Sequence, residues 1–218
     1  MIKLITTNDG SHTIYVPELD EHYHSVHGAV QESEFIFIRN GLHFCKANPV
    51  NIFEAGFGTG LNALLTAMQS FSGTRLINYT AIEKNPLPEN MISVLNYHNF
   101  AGPGSKEVFD SIHSIGWNTE KKICDNFTLR KIKGDLTILN MKGKYDLIYF
   151  DAFSPDKQPE MWTSHIFGMI ADITTKSGIL VTYCVKGEVK RNLKSCGFTV
   201  SLLPGPPGKR QILRAIKN

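Results

Sequence analysis

The chain has 218 residues and a formal net charge of +3, a length that suits one α/β domain with a substantial core. No apolar run approaches membrane-spanning length and Met1-Ile2-Lys3 opens no signal-peptide segment, so no membrane partner and a cytoplasmic location are expected. The small net charge hides an asymmetry: from Lys176 onward nine basic residues face only Glu188, which hints at a polyanionic partner, the alternative being a solvated helix face and strand-end lysines.

In chain order, residues 3–7 and 13–16 read as short strands around Asn8-Asp9-Gly10, a hairpin signal. After Pro17, the stretch Glu21-His22-Tyr23-His24-Ser25-Val26-His27-Gly28 is polar and irregular. Its histidines have no regular element and no carboxylate shell to fix a metal. They are expected at the mouth of a pocket, and no metal site is expected. Val30, Phe35 and Ile38 space as a helix over 29–40, with Gly41 as its stop. Cys45, Cys124, Cys184 and Cys196 lack C-x-x-C pairing and read as reduced thiols.

Residues 50–53 then read as a buried strand feeding Glu54-Ala55-Gly56-Phe57-Gly58-Thr59-Gly60, with a helix over 61–70. A strand, a glycine-rich turn and a helix N-terminus make a nucleotide-type cofactor pocket in open α/β sheets. A dinucleotide fingerprint starting at Gly56 would place its third glycine where Leu61 stands. The spacing Glu54-x-Gly56-x-Gly58-x-Gly60 resembles instead the turn of S-adenosylmethionine (SAM)-dependent methyltransferases. SAM has no pyrophosphate to cradle, and a carboxylate near its sulfonium and amino group is favourable. A strand over 75–82 ends at Glu83, about 20 residues past the glycine turn, where such folds place an acid against ribose hydroxyls.

Residues 88–116 read as helices broken at Gly102-Pro103-Gly104, and 127–132 as a strand. Asp135 either faces the adenine edge of the cofactor or is a turn aspartate. The clearest buried strand, 145–151, is apolar to its end, where Asp151 emerges on the side of the sheet where ligands bind. A proline-bound loop over 152–160 follows, then a helix over 161–173, a strand over 178–185 and a helix over 188–195. Residues 198–203 and 211–216 form a terminal hairpin. The expected whole is a single α/β domain over 1–218. Its mostly parallel Rossmann-like sheet ends in an antiparallel strand, as in class I methyltransferases, and 1–45 is a hairpin and helix extension covering the cofactor pocket.

Asp9-Gly10-Ser11-His12-Thr13, His27-Gly28-Ala29, Gln31-Glu32-Ser33, the glycine turn through Asn62, Glu83-Lys84-Asn85-Pro86-Leu87, Asp151-Ala152-Phe153-Ser154-Pro155 with Pro159-Glu160-Met161-Trp162, and Gly208-Lys209-Arg210 carry a likeness over essentially the whole chain. It resembles the methyltransferase half of the bifunctional tRNA 5-methylaminomethyl-2-thiouridine biosynthesis protein. The resemblance implies methyl transfer from SAM to the primary amine of 5-aminomethyl-(2-thio)uridine at the tRNA wobble position. It implies SAM contacts at Glu54, Gly56, Gly58, Gly60, Glu83 and Asp135, and the substrate at Asp151 and the loop that includes Pro155. Asp151 would accept the ammonium proton and orient the amine. Phe153 and Trp162 would stack on the flipped base, or are core aromatics. Lys209 and Arg210 would meet the anticodon stem-loop of tRNA. The chain stops at Asn218 without the family's oxidase half, so an upstream enzyme is expected to supply the aminomethyl group. Two other readings stand beside this one: a methyl- or aminopropyltransferase acting on a small amine without RNA, and a non-catalytic SAM- or RNA-binding module.

Overall fold

A computed structural model describes residues 2–218, the side chain of Ser72 apart. Strands β1 (Lys3–Thr6), β2 (His12–Val16) and β3 (Glu21–His22) form a small antiparallel sheet. Helix α1 (Ala29–Ser33) runs on into π-helical turns over Glu34–Leu42, where the His43 N–H donates to the Ile38 carbonyl five residues back. The expected stop at Gly41 is not one. Gly41 lies within the helix, and a Cβ there would come within 3.1 Å of Val181 and 3.2 Å of Tyr149. Close packing onto the sheet, rather than a turn, asks for glycine at this position.

Then come β4 (Val50–Ala55), α2 (Leu61–Gln69), β5 (Ile77–Glu83), α3 (Glu89–Ile92), α4 (Ser105–Ser114), β6 (Thr119–Cys124) and β7 (Phe127–Lys133). The chain closes with β8 (Tyr145–Phe150), α5 (Ser164–Ile173), β9 (Thr174–Thr182), α6 (Gly187–Ser195), β10 (Phe198–Pro204) and β11 (Gln211–Lys217). These strands form one eight-stranded sheet in the order β10-β11-β9-β8-β4-β5-β7-β6. The five central strands are parallel, and β11, β10 and β6 are antiparallel to their neighbours.

Sequence reading passed over β6. Its Glu120, Lys121 and Lys122 are exposed, and charged residues of this kind protect an open sheet edge while erasing the apolar pattern of a strand. Two expected starts also shift: β9 begins at Thr174, and a 3₁₀ turn over Pro159–Trp162 precedes α5.

Strand alternation sorts the core into two layers. Val50, Ile52, Leu147 and Tyr149 face the π-helical segment, α2 and α4. Phe53, Ala55, Ile148 and Phe150 face α5 and α6. Because β4 has β5 on one side and β8 on the other, the chain leaves it in opposite directions, and a crevice opens at the carboxyl ends of β4 and β8.

The small sheet is fastened beside that crevice by Asp9 and Ser11. The Ser11 hydroxyl accepts from the Ala29 and Val30 N–H groups at 3.2 Å each, and Asp9 Oδ2 accepts from the Gln31 N–H at 3.0 Å. These side chains, distant in sequence, satisfy the free donors at the start of α1. Burial opposes ionisation of Asp9, but hydrogen bonds from Ser11, Thr7 and the Gln31 N–H prevail and hold its pKa below the usual value. That stabilisation is complete above the ordinary aspartate pKa and is lost as pH falls through the lowered one. Asp9→Ala is therefore expected to cost about 1.5–3 kcal/mol at pH 7. Urea denaturation would show a lower midpoint at an unchanged slope, with the difference shrinking in acid.

Candidate active site

A cavity of about 810 Å³ opens at the carboxyl ends of β4, β5 and β8, within the range of small-molecule sites. Gly56 to Thr59 and Asn62 line one side and Ile82 to Pro88 another; Asp151 to Ser154 closes the third, and residues 21–26 lie over it. The turn is built backbone against backbone. The Gly56 and Phe57 N–H groups both donate to the Ile82 carbonyl at 3.1 Å, and the Asp151 N–H donates to the Ala55 carbonyl at 3.0 Å. Gly56 has φ +93°, and a Cβ there would lie 2.5 Å from the Asp151 carbonyl oxygen. Glycine is required because the end of β8 passes directly over it.

Glu83 is held by both oxygens. Oε2 accepts from the Gly58 N–H at 3.0 Å and Oε1 from the Asn85 N–H at 2.8 Å, so its remaining lone pairs border the cavity in a fixed orientation. Asp135 also borders the cavity. The Lys84 ammonium at 2.8 Å and the Thr137 hydroxyl and N–H hold its pKa down at about 2.

Glu54 and Gly60, both expected at the cofactor, do not border the cavity. Alternation along β4 turns Glu54 to the α2 side, where it is fully buried. Gly60, at φ +74°, begins α2 and backs onto His113. Glu54 acts instead through Asn62. The Asn62 amide donates one hydrogen to Glu54 Oε1 at 3.0 Å and the other to Asp151 Oδ2 at 2.8 Å. Burial raises the Glu54 pKa well above the ordinary value, the Asn62 bond opposes this, and Asp151 adds to it. At Asp151, burial again dominates and pushes the carboxyl up to about 7, against the bond from Asn62. Glu32 raises it further and Lys209 lowers it.

On the substrate side, Phe153 borders the cavity edge-on to Tyr23, ring centroids 5.0 Å apart. Trp162 does not. It is 3% exposed, packs on Phe150, and donates its indole N–H to the Phe153 carbonyl at 2.7 Å. Its role is to anchor the loop, and no face is free for a base. Pro155 is half-buried outside the cavity lining. The loop is tied further by Ser154 to Glu21 at 2.9 Å, by the Tyr183 hydroxyl to the Ala152 carbonyl at 2.9 Å, and by an ion pair of Asp156 with Lys186.

Lys209 and Arg210 share one turn and part company. Arg210 is exposed, whereas Lys209 points into the cavity, 3.0 Å from Glu32 Oε1 and 5.0 Å from the Tyr183 ring centroid. The nine C-terminal basic residues do not form one patch. Lys176 lies on the stretch of β9 that meets the start of β8, at the far end of the sheet. Arg214 stacks over Phe44 at 3.5 Å, and Lys217 donates to the Cys196 carbonyl at 2.9 Å. Among the described residues no cluster of three His, Cys, Asp or Glu could hold a metal ion.

Sequence reasoning gave no role to Asn62 or Tyr183, and placed Glu32 only within the extension expected to cover the cofactor pocket. Asn62 left a signal: an amide among Leu61, Ala63, Leu64 and Leu65 is a polar group in a buried helix face, which needs a partner. Tyr183 stands just beyond β9, as Asp151 stands just beyond β8.

For Asp151 the linkage has a definite sign. A carboxyl raised to about 7 favours folding fully below the ordinary value of about 3.9, and that contribution is lost as pH climbs to 7. Asp151→Asn is therefore expected to raise thermal stability at pH 8, by up to about 4 kcal/mol at 1.36 kcal/mol per tenfold change in proton affinity, and to change little at pH 4. Asn62→Ala removes the bond that stabilises the carboxylate, so carbon-13 NMR should find Asp151 titrating above its wild-type value.

Residues 108–218 match a family model described as S-adenosyl-L-methionine-dependent methyltransferase. The tRNA 5-methylaminomethyl-2-thiouridine biosynthesis bifunctional protein MnmC of Campylobacter hominis is 31% identical over 191 residues, covering 86% of this chain and 28% of that protein. Its counterpart in Cupriavidus metallidurans is 30% identical over an alignment of 228 residues, covering 95% of this chain and 33% of the other. The chain thus spans between 28% and 33% of the length of these relatives. The crystal structure of MNMC2 from Aquifex aeolicus superposes with a TM-score of 0.81 at 25% identity, over 99% of this chain and 69% of that one.

Proposed function

The chain belongs to the S-adenosyl-L-methionine-dependent methyltransferases and has their class I fold, and from that premise we propose that it methylates the primary amine of 5-aminomethyl-(2-thio)uridine at the wobble position of tRNA. The relatives named for tRNA 5-methylaminomethyl-2-thiouridine biosynthesis support the RNA substrate. The observation that carries the chemistry is Asp151, a carboxyl raised to about 7 at the switch point of the sheet and bordering the cavity.

The cavity fits SAM. Its volume is ample, and the buried Asn62 Oδ1 has no protein partner. Glu83 would take the ribose hydroxyls. Asp135 would face the adenine edge, and the backbone at Gly56 and Gly58 the methionine portion. When bound, SAM supplies an electrophilic methyl group on a sulfonium. Glu54 and Gly60 support the site from behind.

An alkylamine is mostly protonated at pH 7, by analogy with lysine, and an ammonium has no lone pair to give. Asp151 would take that proton and pass it to solvent, and, as the carboxylate again, would stabilise the positive charge that forms on the methylated nitrogen. The Asn62 amide keeps the receiving oxygen aimed. Phe153 would receive the base on its exposed edge.

The direct experiment is mass spectrometry of nucleosides from tRNA bearing 5-aminomethyl-2-thiouridine, incubated with the protein and SAM. One added methyl on the aminomethyl nitrogen is expected. Methylation or aminopropylation of a free polyamine, with the tRNA untouched, would replace this reading by the small-amine one. Asp151→Asn should lower single-turnover rates by about 10²-fold or more at pH 7. Wild-type rates should climb as the carboxylate forms near pH 7. The Asn variant should recover only at higher pH, where the amine loses its proton unaided.

Of the two basic residues in the last turn, the exposed Arg210 would meet phosphate. Arg210→Glu should weaken tRNA binding and lower the slope of log affinity against log salt by roughly one to two. An unchanged slope would remove Arg210 from the RNA surface.

A further inference from the structure

We propose that Glu32 and the Tyr183 ring form a receptor for a primary alkylammonium group, and that the Lys209 side chain fills this receptor until a substrate amine displaces it. The identity of the natural occupant rests on the function proposed above; the receptor itself does not.

Lys209 sits at an unusual place for a lysine on a hairpin turn. Its ammonium turns inward, with its side chain 29% exposed, against a Glu32 side chain that is 12% exposed. One face of the ammonium meets the carboxylate at 3.0 Å and the other lies over the Tyr183 ring, 5.0 Å from its centroid. A carboxylate and an aromatic face are the two groups that recognise an alkylammonium most directly. All three residues border or lie in the cavity that holds Asp151, and Glu32 and Lys209 bias the Asp151 proton in opposite directions.

The receptor is held in shape by bonds that do not involve Lys209. Glu32 Oε2 accepts from the Ser25 N–H at 2.9 Å, which fixes the carboxylate to the segment over the cavity. The Tyr183 hydroxyl donates to the Ala152 carbonyl at 2.9 Å, which fixes the ring beneath the Asp151 loop. Lys209 is the one long, flexible member, and it stands on the turn joining β10 to β11. If it leaves, the two recognition groups stay where they are.

An aminomethyl group carries the same primary ammonium on a short arm. Its entry exchanges one cation for another, so Glu32 is never left buried without a partner, a state that costs heavily. The displaced Lys209 swings out beside Arg210, where an RNA substrate presents phosphates to receive it. A free small amine presents none. Lys209 thus sets specificity: it competes with every amine, and only a substrate bearing phosphates compensates for its displacement.

The test uses n-propylammonium as probe, with binding followed by NMR titration of the folded protein, so that no turnover is needed. Lys209→Met is expected to bind the probe at least fivefold more tightly than wild type. Adding Glu32→Gln or Tyr183→Leu to Lys209→Met should remove that gain, and Arg210→Met, which deletes a neighbouring cation outside the receptor, should give none. Uncharged 1-propanol should not bind. If Lys209→Met binds the probe no better than wild type, or if Arg210→Met gains equally, Lys209 is not occupying an amine receptor. A second readout separates this idea from the proposed function. With 5-aminomethyluridine nucleoside, Lys209→Met should lower KM while raising or leaving unchanged the KM for modified tRNA. Probe binding without any nucleoside or tRNA methylation would retain the receptor and overturn the substrate assignment.

Discussion

Two carboxyl groups share one amide at the centre of this protein. Glu54 lies on β4 and Asp151 just beyond the end of the adjacent parallel strand β8, and the Asn62 side chain at the start of α2 gives one hydrogen to each. Two ionised acids held so close and so dry would repel, so burial keeps them from ionising freely and the amide decides how each is oriented. Burial opposes the charge of the fully buried Glu54 most strongly, while Asp151, at the cavity, is left on the verge of ionisation near pH 7. The glycine turn, the start of α2 and the loop after β8 all take their positions around this arrangement.

The same division explains what was legible in the amino-acid pattern. The place of Asp151 at the cavity was legible because an apolar strand ends on it, and that of Glu83 because its strand ends beside the turn. Both depend only on where a strand stops. Glu54 was misplaced because it still lies within β4, whose two faces are both covered by helices, whereas the cavity opens only beyond the strand's end. Trp162 and Lys209 failed for a different reason. An aromatic ring in a functional loop and a lysine in a basic tail look available, yet neither pattern tells which way a side chain points once the loop is tied down. The Glu32 partner of Lys209 comes from a segment far away in the chain, and the indole N–H bound to Phe153 closes the loop on itself across nine residues; neither contact is written in a local spacing. The β6 strand was hidden by the lysines that protect its edge.

Charge follows the architecture more closely than the chain. The basic excess after Lys176 spreads over both ends of the sheet, because consecutive strands and helices carry it back and forth. Some of these residues pack on rings, as Arg214 does on Phe44. Lys209, the one of them that lines the cavity, faces Glu32 from the covering segment, so acid and base meet across the mouth of the site. Such a seam is the natural place for a substrate that brings a cation and a polyanion together.

The missing side chain at Gly56 has an evolutionary consequence. Because the Asp151 carbonyl occupies the space where a Cβ would stand, the glycine turn and the strand end that bears Asp151 form one rigid piece of backbone. Neither half can drift in shape without the other, and a family built on this contact would hold its reaction constant. The small sheet and α1 are fastened on from outside by side chains such as Asp9 and Ser11. Changes in what the cavity accepts are therefore expected to arise through exchange of that covering, with the floor of the cavity inherited intact.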